Sequence, residues 1–262
     1  MTVPTTTTPP LLAVDHASFA YPGRNAALAL DDVSFAVRAG QHVGIVGESG
    51  AGKTTVLRML LGLQAPDSGT VTFDGAPLDL RDRSAVRRFR AAVQPVFQDP
   101  YSSLDPRQRV DRIVGEPLRS LGVATGSEAS DRVEAALRDV GLDGDAGRRY
   151  PHEFSGGQRQ RIAIARAVVA GPRVLVADEP VSALDLTTRV AVLELFERLA
   201  AEHGMTIVLV SHDLAVVARL CAETVVLRRG RVVEQGATSR VLGAPESAYT
   251  SALLDAVPRL PR

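Results

Sequence analysis

The sequence predicts an α/β fold: a core with a mostly parallel sheet, an N-terminal antiparallel β subdomain and an inserted helical subdomain. Three observations predict it. Short apolar runs alternate with helical periodicity at both ends of the chain, the pattern of a parallel sheet with helices on its faces. Between Arg81 and about Ala170 the strand signal nearly vanishes, so a helical lobe interrupts the core. A single glycine-rich segment, Gly47-Glu48-Ser49-Gly50-Ala51-Gly52-Lys53-Thr54, joins an apolar strand directly to a helix.

The elements follow in order. Met1 to Pro10 is rich in Thr and Pro and has neither a charged nor an apolar leader region, so it reads as a flexible tail. Leu11–Phe19 and Val33–Val37 are half-alternating runs, expected to be antiparallel strands. Val43–Val46 is a buried strand, and Lys53–Leu63 reads as a helix. Asp67-Ser68-Gly69 turns the chain into the strand Thr70–Phe73, and Asp74-Gly75 turns it again. Within the lobe, placed at about 99–170, Val93–Phe97 leads in as a strand. Helical periodicity covers Val110–Leu121, Asp131–Val140 and Gln158–Val169. The core resumes with the strand Val174–Ala177, a helix near Thr187–Glu202 and the strand Thr206–Val210. Then come the helix Leu214–Leu220, the strand Thr224–Leu227 and a hairpin through Arg229-Gly230. Residues 11–247 thus make the main domain, and 248–262 read as a short C-terminal tail.

Composition excludes several classes. Formal net charge is zero, so no global field draws the chain to nucleic acid or an anionic membrane. One cysteine, Cys221, excludes an internal disulfide and a cysteine-built metal site. No run approaches the roughly 18 apolar residues of a membrane span. The run Arg81, Arg83, Arg87, Arg88, Arg90 reads first as a solvated helix face and second as a docking surface.

Lysine and arginine together number 30, and Lys53 is the only lysine. A compact ammonium fits between β- and γ-phosphates under a tight loop, where a forked guanidinium does not. In the Gly-x-x-x-x-Gly-Lys-Thr segment the glycines let backbone N–H groups face phosphate oxygens, and the helix N-terminus adds positive potential. This is a P-loop NTPase core. Gly47, Glu48, Ser49, Gly50, Ala51, Gly52 and Lys53 would cradle the nucleotide. Thr54 is placed to ligate Mg²⁺ and Thr55 to touch the α-phosphate. A second apolar strand, Val174–Ala177, ends in Asp178-Glu179, at the sheet edge where such folds present chemistry. Asp178 would hold Mg²⁺ through water, and Glu179 would polarise the attacking water.

Phe154-Ser155-Gly156-Gly157-Gln158 opens another helix with exposed N–H groups, a second anion site. One phosphate loop needs no such second site, so this one asks for a partner. Here the chain resembles the ATP-binding cassette ATPases from Leu11 almost to its end. The resemblance implies that Ser155, Gly156 and Gly157, supported by Gln158, close in trans over the γ-phosphate held by another subunit. It implies that Gln98 senses γ-phosphate and Mg²⁺, that Asp185 in Ser182-Ala183-Leu184-Asp185 lies in a loop crossing the dimer interface, and that His212 is the switch histidine. Tyr21 resembles the aromatic that stacks on adenine. Phe154 stands where leucine is commoner in the family.

Val96-Phe97-Gln98-Asp99-Pro100-Tyr101-Ser102-Ser103-Leu104-Asp105-Pro106-Arg107, Tyr150-Pro151-His152-Glu153 and the segment Ala248–Pro258 resemble the peptide/nickel importer branch. That resemblance implies a Mg²⁺-dependent ATPase at the cytoplasmic face of the membrane. Its implied partners are a second ATPase subunit, identical or related, two transmembrane permeases and, indirectly, an extracytoplasmic solute-binding protein, with no nucleic acid. The alternatives are the ATPase of a soluble phosphonate carbon–phosphorus lyase-type complex, or a non-transport cassette ATPase.

Overall fold

The computed structural model describes residues 9–23, 27–99, 103–142 and 144–256. Most of the tail expected at 1–10, residues 100–102 of the importer-like segment and the last six positions lie outside them.

Two sheets organise the chain. Strands β1 (Leu12–Ala20), β2 (Leu28–Val37), β4 (Ser68–Phe73) and β5 (Ala76–Pro77) form an antiparallel sheet in the order β2-β1-β4-β5. The core sheet runs β10-β9-β3-β8-β7-β6, from β3 (Val43–Val46), β6 (Val93–Val96), β7 (Val174–Asp178), β8 (Thr206–Val210), β9 (Glu223–Arg228) and β10 (Arg231–Ala237). Its pairings are parallel except for the closing hairpin β9–β10.

The continuous apolar runs of β7 and β8 follow from burial on both faces. Val174 and Val176, with Val208 and Val210, face one hydrophobic cluster; Leu175 and Ala177, with Ile207 and Leu209, face the other. The first cluster lies between the two sheets and encloses α1 (Lys53–Leu60) through Val56, Leu57, Met59 and Leu60. The second joins the opposite face of the core sheet to the helical lobe.

That lobe lies between β6 and β7. It contains α3 (Val110–Val114), α4 (Glu116–Ser120), α5 (Gly126–Asp139) and α6 (Gly156–Val168), with 3₁₀ turns at Ala146–Arg148 and Pro151–Glu153. Before it, α2 (Arg83–Ala92) carries the arginine run, its N-terminus capped by Asp82, whose carboxylate accepts from the N–H groups of Ser84 and Ala85.

Three local expectations are corrected. The helix expected over Val110–Leu121 breaks into α3 and α4 at Gly115, and Pro117, which has no N–H to continue a ladder, sits in the first turn of α4. The helix expected to reach Leu63 ends at Leu60, because Gly62 turns left-handed at φ 60°. Most of the expected C-terminal tail is helical: after α7 (Leu186–His203), α8 (Leu214–Leu220) and α9 (Thr238–Gly243), residues Ala248–Asp255 form α10. Tyr249 on α10 is buried, and Leu253 and Leu254 pack against the lobe-side core.

Candidate active site

The loop from β3 to α1 is held open by backbone crowding that only glycine tolerates. At Gly47 (φ 153°) a Cβ would sit 2.3 Å from the Leu227 carbonyl oxygen, and at Gly52 (φ 107°) 2.8 Å from that of Ala29. Gly52 is the N-cap of α1, so the first turn of the helix aims its N–H groups into the loop. Within the loop Ala51 N–H donates to Glu48 O at 3.1 Å, while the N–H groups of Ser49, Gly50 and Gly52 meet no acceptor among the described residues. These are the donors an anion would use.

Lys53 folds back over this loop and donates to the carbonyl oxygens of Gly47 (2.5 Å) and Glu48 (2.9 Å). Burial pulls its ammonium below the usual lysine range, against the opposing pull of Glu179, Asp178 and Glu48. A half-buried cation satisfied by carbonyls is a cation that a phosphate can recruit.

Opposite the loop, β7 ends at Asp178 and the chain turns at Glu179 with φ 44°, a left-handed conformation unusual for a residue with a side chain. Its N–H donates to Val210 O at 2.8 Å, which ties the turn to the end of β8. The Glu179 carboxylate is clamped from two sides. His212 Nδ1 lies 2.8 Å from one oxygen, and Gln98 Nε2 donates to the other at 3.2 Å. Gln98 also reaches Ser182 Oγ at 3.3 Å, and Ser182 donates back to the Glu179 carbonyl at 3.0 Å. The Glu179 side chain is 17% exposed and His212 63%, so the acid is sheltered and the imidazole faces solvent.

Ser49, Gly50, Gly52, Lys53, Thr54, Thr55, Gln98, Asp178, Glu179, His212 and Tyr21 all line one cavity of about 480 Å³, with Ala29 and Val210. Gly47, Glu48 and Ala51, of the same loop, are not among its walls. Burial, and next the neighbouring Glu179, push the Asp178 carboxyl above the usual range, with Lys53 opposing. Thr54, Gln98 and Asp178 are all oxygen donors. A desolvated carboxyl beside them fits a hard divalent cation such as Mg²⁺, which takes few protein ligands and keeps water and phosphate oxygens. No group of three or more His, Cys, Asp or Glu residues able to cage a metal occurs among the described residues.

Tyr21 stands at the mouth, 43% exposed. Its hydroxyl meets Thr55 Oγ1 at 3.1 Å and accepts from Arg58 at 3.2 Å, and its ring stacks edge-on against Phe19. Thr55 is therefore buried and engaged by a side chain, which the sequence did not signal.

The second candidate anion site lies elsewhere. Ser155 caps α6 in a reciprocal box: Gln158 N–H donates to Ser155 Oγ at 3.3 Å, and Ser155 N–H donates to Gln158 Oε1 at 3.0 Å. Asp185 caps α7, accepting from the N–H (3.0 Å) and the hydroxyl (2.7 Å) of Thr188; that backbone bond is the main cause holding its carboxyl below the ordinary range. Gly157 packs so closely on Thr188 that an added Cβ would lie 2.6 Å from its methyl carbon. Ser155, Gly156, Gly157 and Gln158 thus meet Asp185 by way of Thr188, and none of these site residues lines the cavity of Lys53.

Sequence reasoning left out of the site Ser182, which orients both Gln98 and Glu179, and Tyr249, whose hydroxyl accepts the Glu48 N–H at 3.1 Å. Ser182 was visible inside Ser182-Ala183-Leu184-Asp185. Tyr249 had no local signal.

Comparison with known proteins gives consistent findings. A family model described as ABC transporter matches residues 30–182. A Brucella ovis protein bearing the name of a peptide import ATP-binding protein is 45% identical over 250 residues, covering 95% of this chain and 79% of that protein. Peptidoglycan transport ATP-binding protein YejF of Agrobacterium fabrum is 46% identical over 232 residues, 87% of this chain and 42% of its own length. Among solved structures, CbiO1 from Clostridium perfringens, part of the ABC transporter complex CbiONQ, superposes with a TM-score of 0.79 at 29% identity, over 90% of this chain and 92% of that chain. The ATP-binding cassette MJ0796, solved as a dimer in a post-hydrolysis state with ADP and Pi, gives 0.76 at 30% identity, over 87% of this chain and 98% of that chain.

Proposed function

The chain belongs to the ABC transporter family as an ATP-binding, ATP-hydrolysing subunit, and on that premise we propose that it energises an importer of peptides or related small solutes. The observation that carries the proposal is the single cavity in which Lys53, Asp178, Glu179, Gln98 and His212 meet. The names of the relatives, peptide import and peptidoglycan transport, favour transport over a soluble lyase complex or a non-transport ATPase.

In this mechanism the loop N–H groups and the α1 N-terminus bind the phosphates, and Lys53 leaves its two carbonyls for the β- and γ-phosphates. Tyr21 offers its ring to adenine at the cavity mouth. Mg²⁺, held by Thr54, Gln98 and Asp178, would neutralise charge on the phosphate oxygens. Glu179 takes the proton of an attacking water, and His212 and Gln98 fix the carboxylate and read the γ-phosphate. Ser155, Gly156, Gly157 and Gln158 act on the nucleotide of a second ATPase subunit, with Asp185 between the two. ATP then bridges two subunits, their helical lobes move two permeases at the cytoplasmic face of the membrane, and hydrolysis resets the assembly. An extracytoplasmic binding protein would deliver the solute. No helix among the described residues is long and apolar enough to cross a membrane.

Lys53→Ala tests the site directly. Losing a charge-assisted contact to phosphate should weaken ATP binding roughly 10- to 100-fold by calorimetry. Unchanged affinity would remove Lys53 from the phosphates. Affinity capture of the native complex should recover two multi-spanning permeases; recovery of lyase subunits instead would redirect the function.

A further inference from the structure

The C-terminal helix α10 touches the phosphate loop. The Tyr249 hydroxyl accepts the backbone N–H of Glu48, 201 positions earlier, at 3.1 Å. Three features hold that hydroxyl in place. Tyr249 is 7% exposed, and the Arg228 guanidinium lies 4.7 Å from its ring centroid. At the start of α10, Glu234 on β10 accepts from the N–H groups of Glu246 (2.9 Å) and Ser247 (3.1 Å), and Ser247 caps the helix. The helix is therefore anchored to the core sheet on one side and to the loop on the other.

The Glu48 N–H is taken by Tyr249, and neither residue lines the nucleotide cavity. The orientation of that N–H still decides the shape of the loop. The Gly47–Glu48 peptide supplies the Gly47 carbonyl that Lys53 contacts, and the Glu48 carbonyl accepts from both Lys53 and Ala51 N–H. Rotating that first peptide would displace the lysine and the turn that presents the following N–H groups. Leu253 of the same helix and Ala256, just past its end, line a second cavity, of about 370 Å³, whose other walls include Glu179, Ser182 and His212.

We infer that Tyr249 is a positioning residue of the ATPase: its hydroxyl fixes the first peptide of the phosphate loop in the orientation that binds nucleotide, which makes α10 part of the catalytic unit. The inference rests on the nucleotide site proposed above and adds a residue to it. It acts through the loop and touches no substrate.

The test uses the full chain with Tyr249→Phe, which removes only the hydroxyl, and Tyr249→Leu, which removes the ring as well. Dissociation constants and KM for Mg-ATP, kcat, and amide hydrogen exchange at Glu48 are measured. Tyr249→Phe should raise Kd and KM about 3- to 10-fold, the effect of one net neutral hydrogen bond, with kcat within about twofold of wild type. The Glu48 amide should exchange faster by a similar factor. Unchanged ATP affinity or unchanged Glu48 exchange in Tyr249→Phe, with impairment only in Tyr249→Leu, would mean that ring packing matters and the hydroxyl does not; the inference would then be wrong. Lys53→Ala run in parallel separates the two claims. If it binds ATP normally, the nucleotide site itself is misassigned; if it fails to bind while Tyr249→Phe binds normally, only the role of Tyr249 falls.

Discussion

The phosphate loop and the Ser155 corner are both helix N-termini opened by glycines, yet the fold treats them differently. The loop at Gly47–Thr54 meets its chemistry inside the same chain: Asp178, Glu179, Gln98 and His212 close one cavity with it. The Ser155–Gln158 corner is braced by its own capping box and by Thr188, and shares no cavity with Lys53. One helix end shares its cavity with two carboxylates, an imidazole and a lysine. The other is closed by its own cap and lines no part of that cavity. Under the proposed function that difference is the device itself, because hydrolysis then requires a second subunit.

The largest effect should come from the first region. Glu179→Gln keeps one of the two oxygens that His212 and Gln98 approach but removes the proposed base, so turnover should fall about 10²- to 10⁴-fold while ATP binding persists. A phosphate-release assay with parallel calorimetry checks both halves; wild-type turnover would remove Glu179 from the chemistry. In the second region, Ser155→Arg should leave ATP binding by the chain within about twofold and cut turnover about 10²-fold or more, since under the proposed function it blocks a donor that acts only in trans. Equal loss of binding and turnover would place Ser155 in the same half-site as Lys53 and dissolve the contrast.

How far these two regions could be read from sequence depends on how local their causes are. β3, β7 and β8 were legible because burial on both faces leaves uninterrupted apolar runs, and the glycine spacing announced the loop between β3 and α1. The cavity residues were legible as motifs at strand ends. What was not legible was contact order. The Glu48–Tyr249 bond spans 201 positions, and the sequence pattern of Ala248–Asp255 looked like a tail because its burial depends on surfaces supplied by β10 and the loop. The break at Gly115–Glu116 was hidden inside an apolar periodicity that continues through both α3 and α4. The capping box at Ser155 and Gln158 could have been read from its spacing, but the packing of Gly157 on Thr188 could not.

A smaller effect sharpens the comparison. Gly157→Ala forces Thr188 to move and should cost about 1–3 kcal/mol of stability in denaturant unfolding, with ATP binding intact. A loss of ATP binding comparable to that of Lys53→Ala would show that the two helix ends are not separate.

The central claim is that one chain carries half of each working site, and turnover per chain against dilution tests it most directly. With saturating Mg-ATP, the wild-type chain should lose at least tenfold of its phosphate release per chain once sedimentation shows it to be monomeric, while ATP stays bound. Undiminished turnover by a proven monomer would contradict the account.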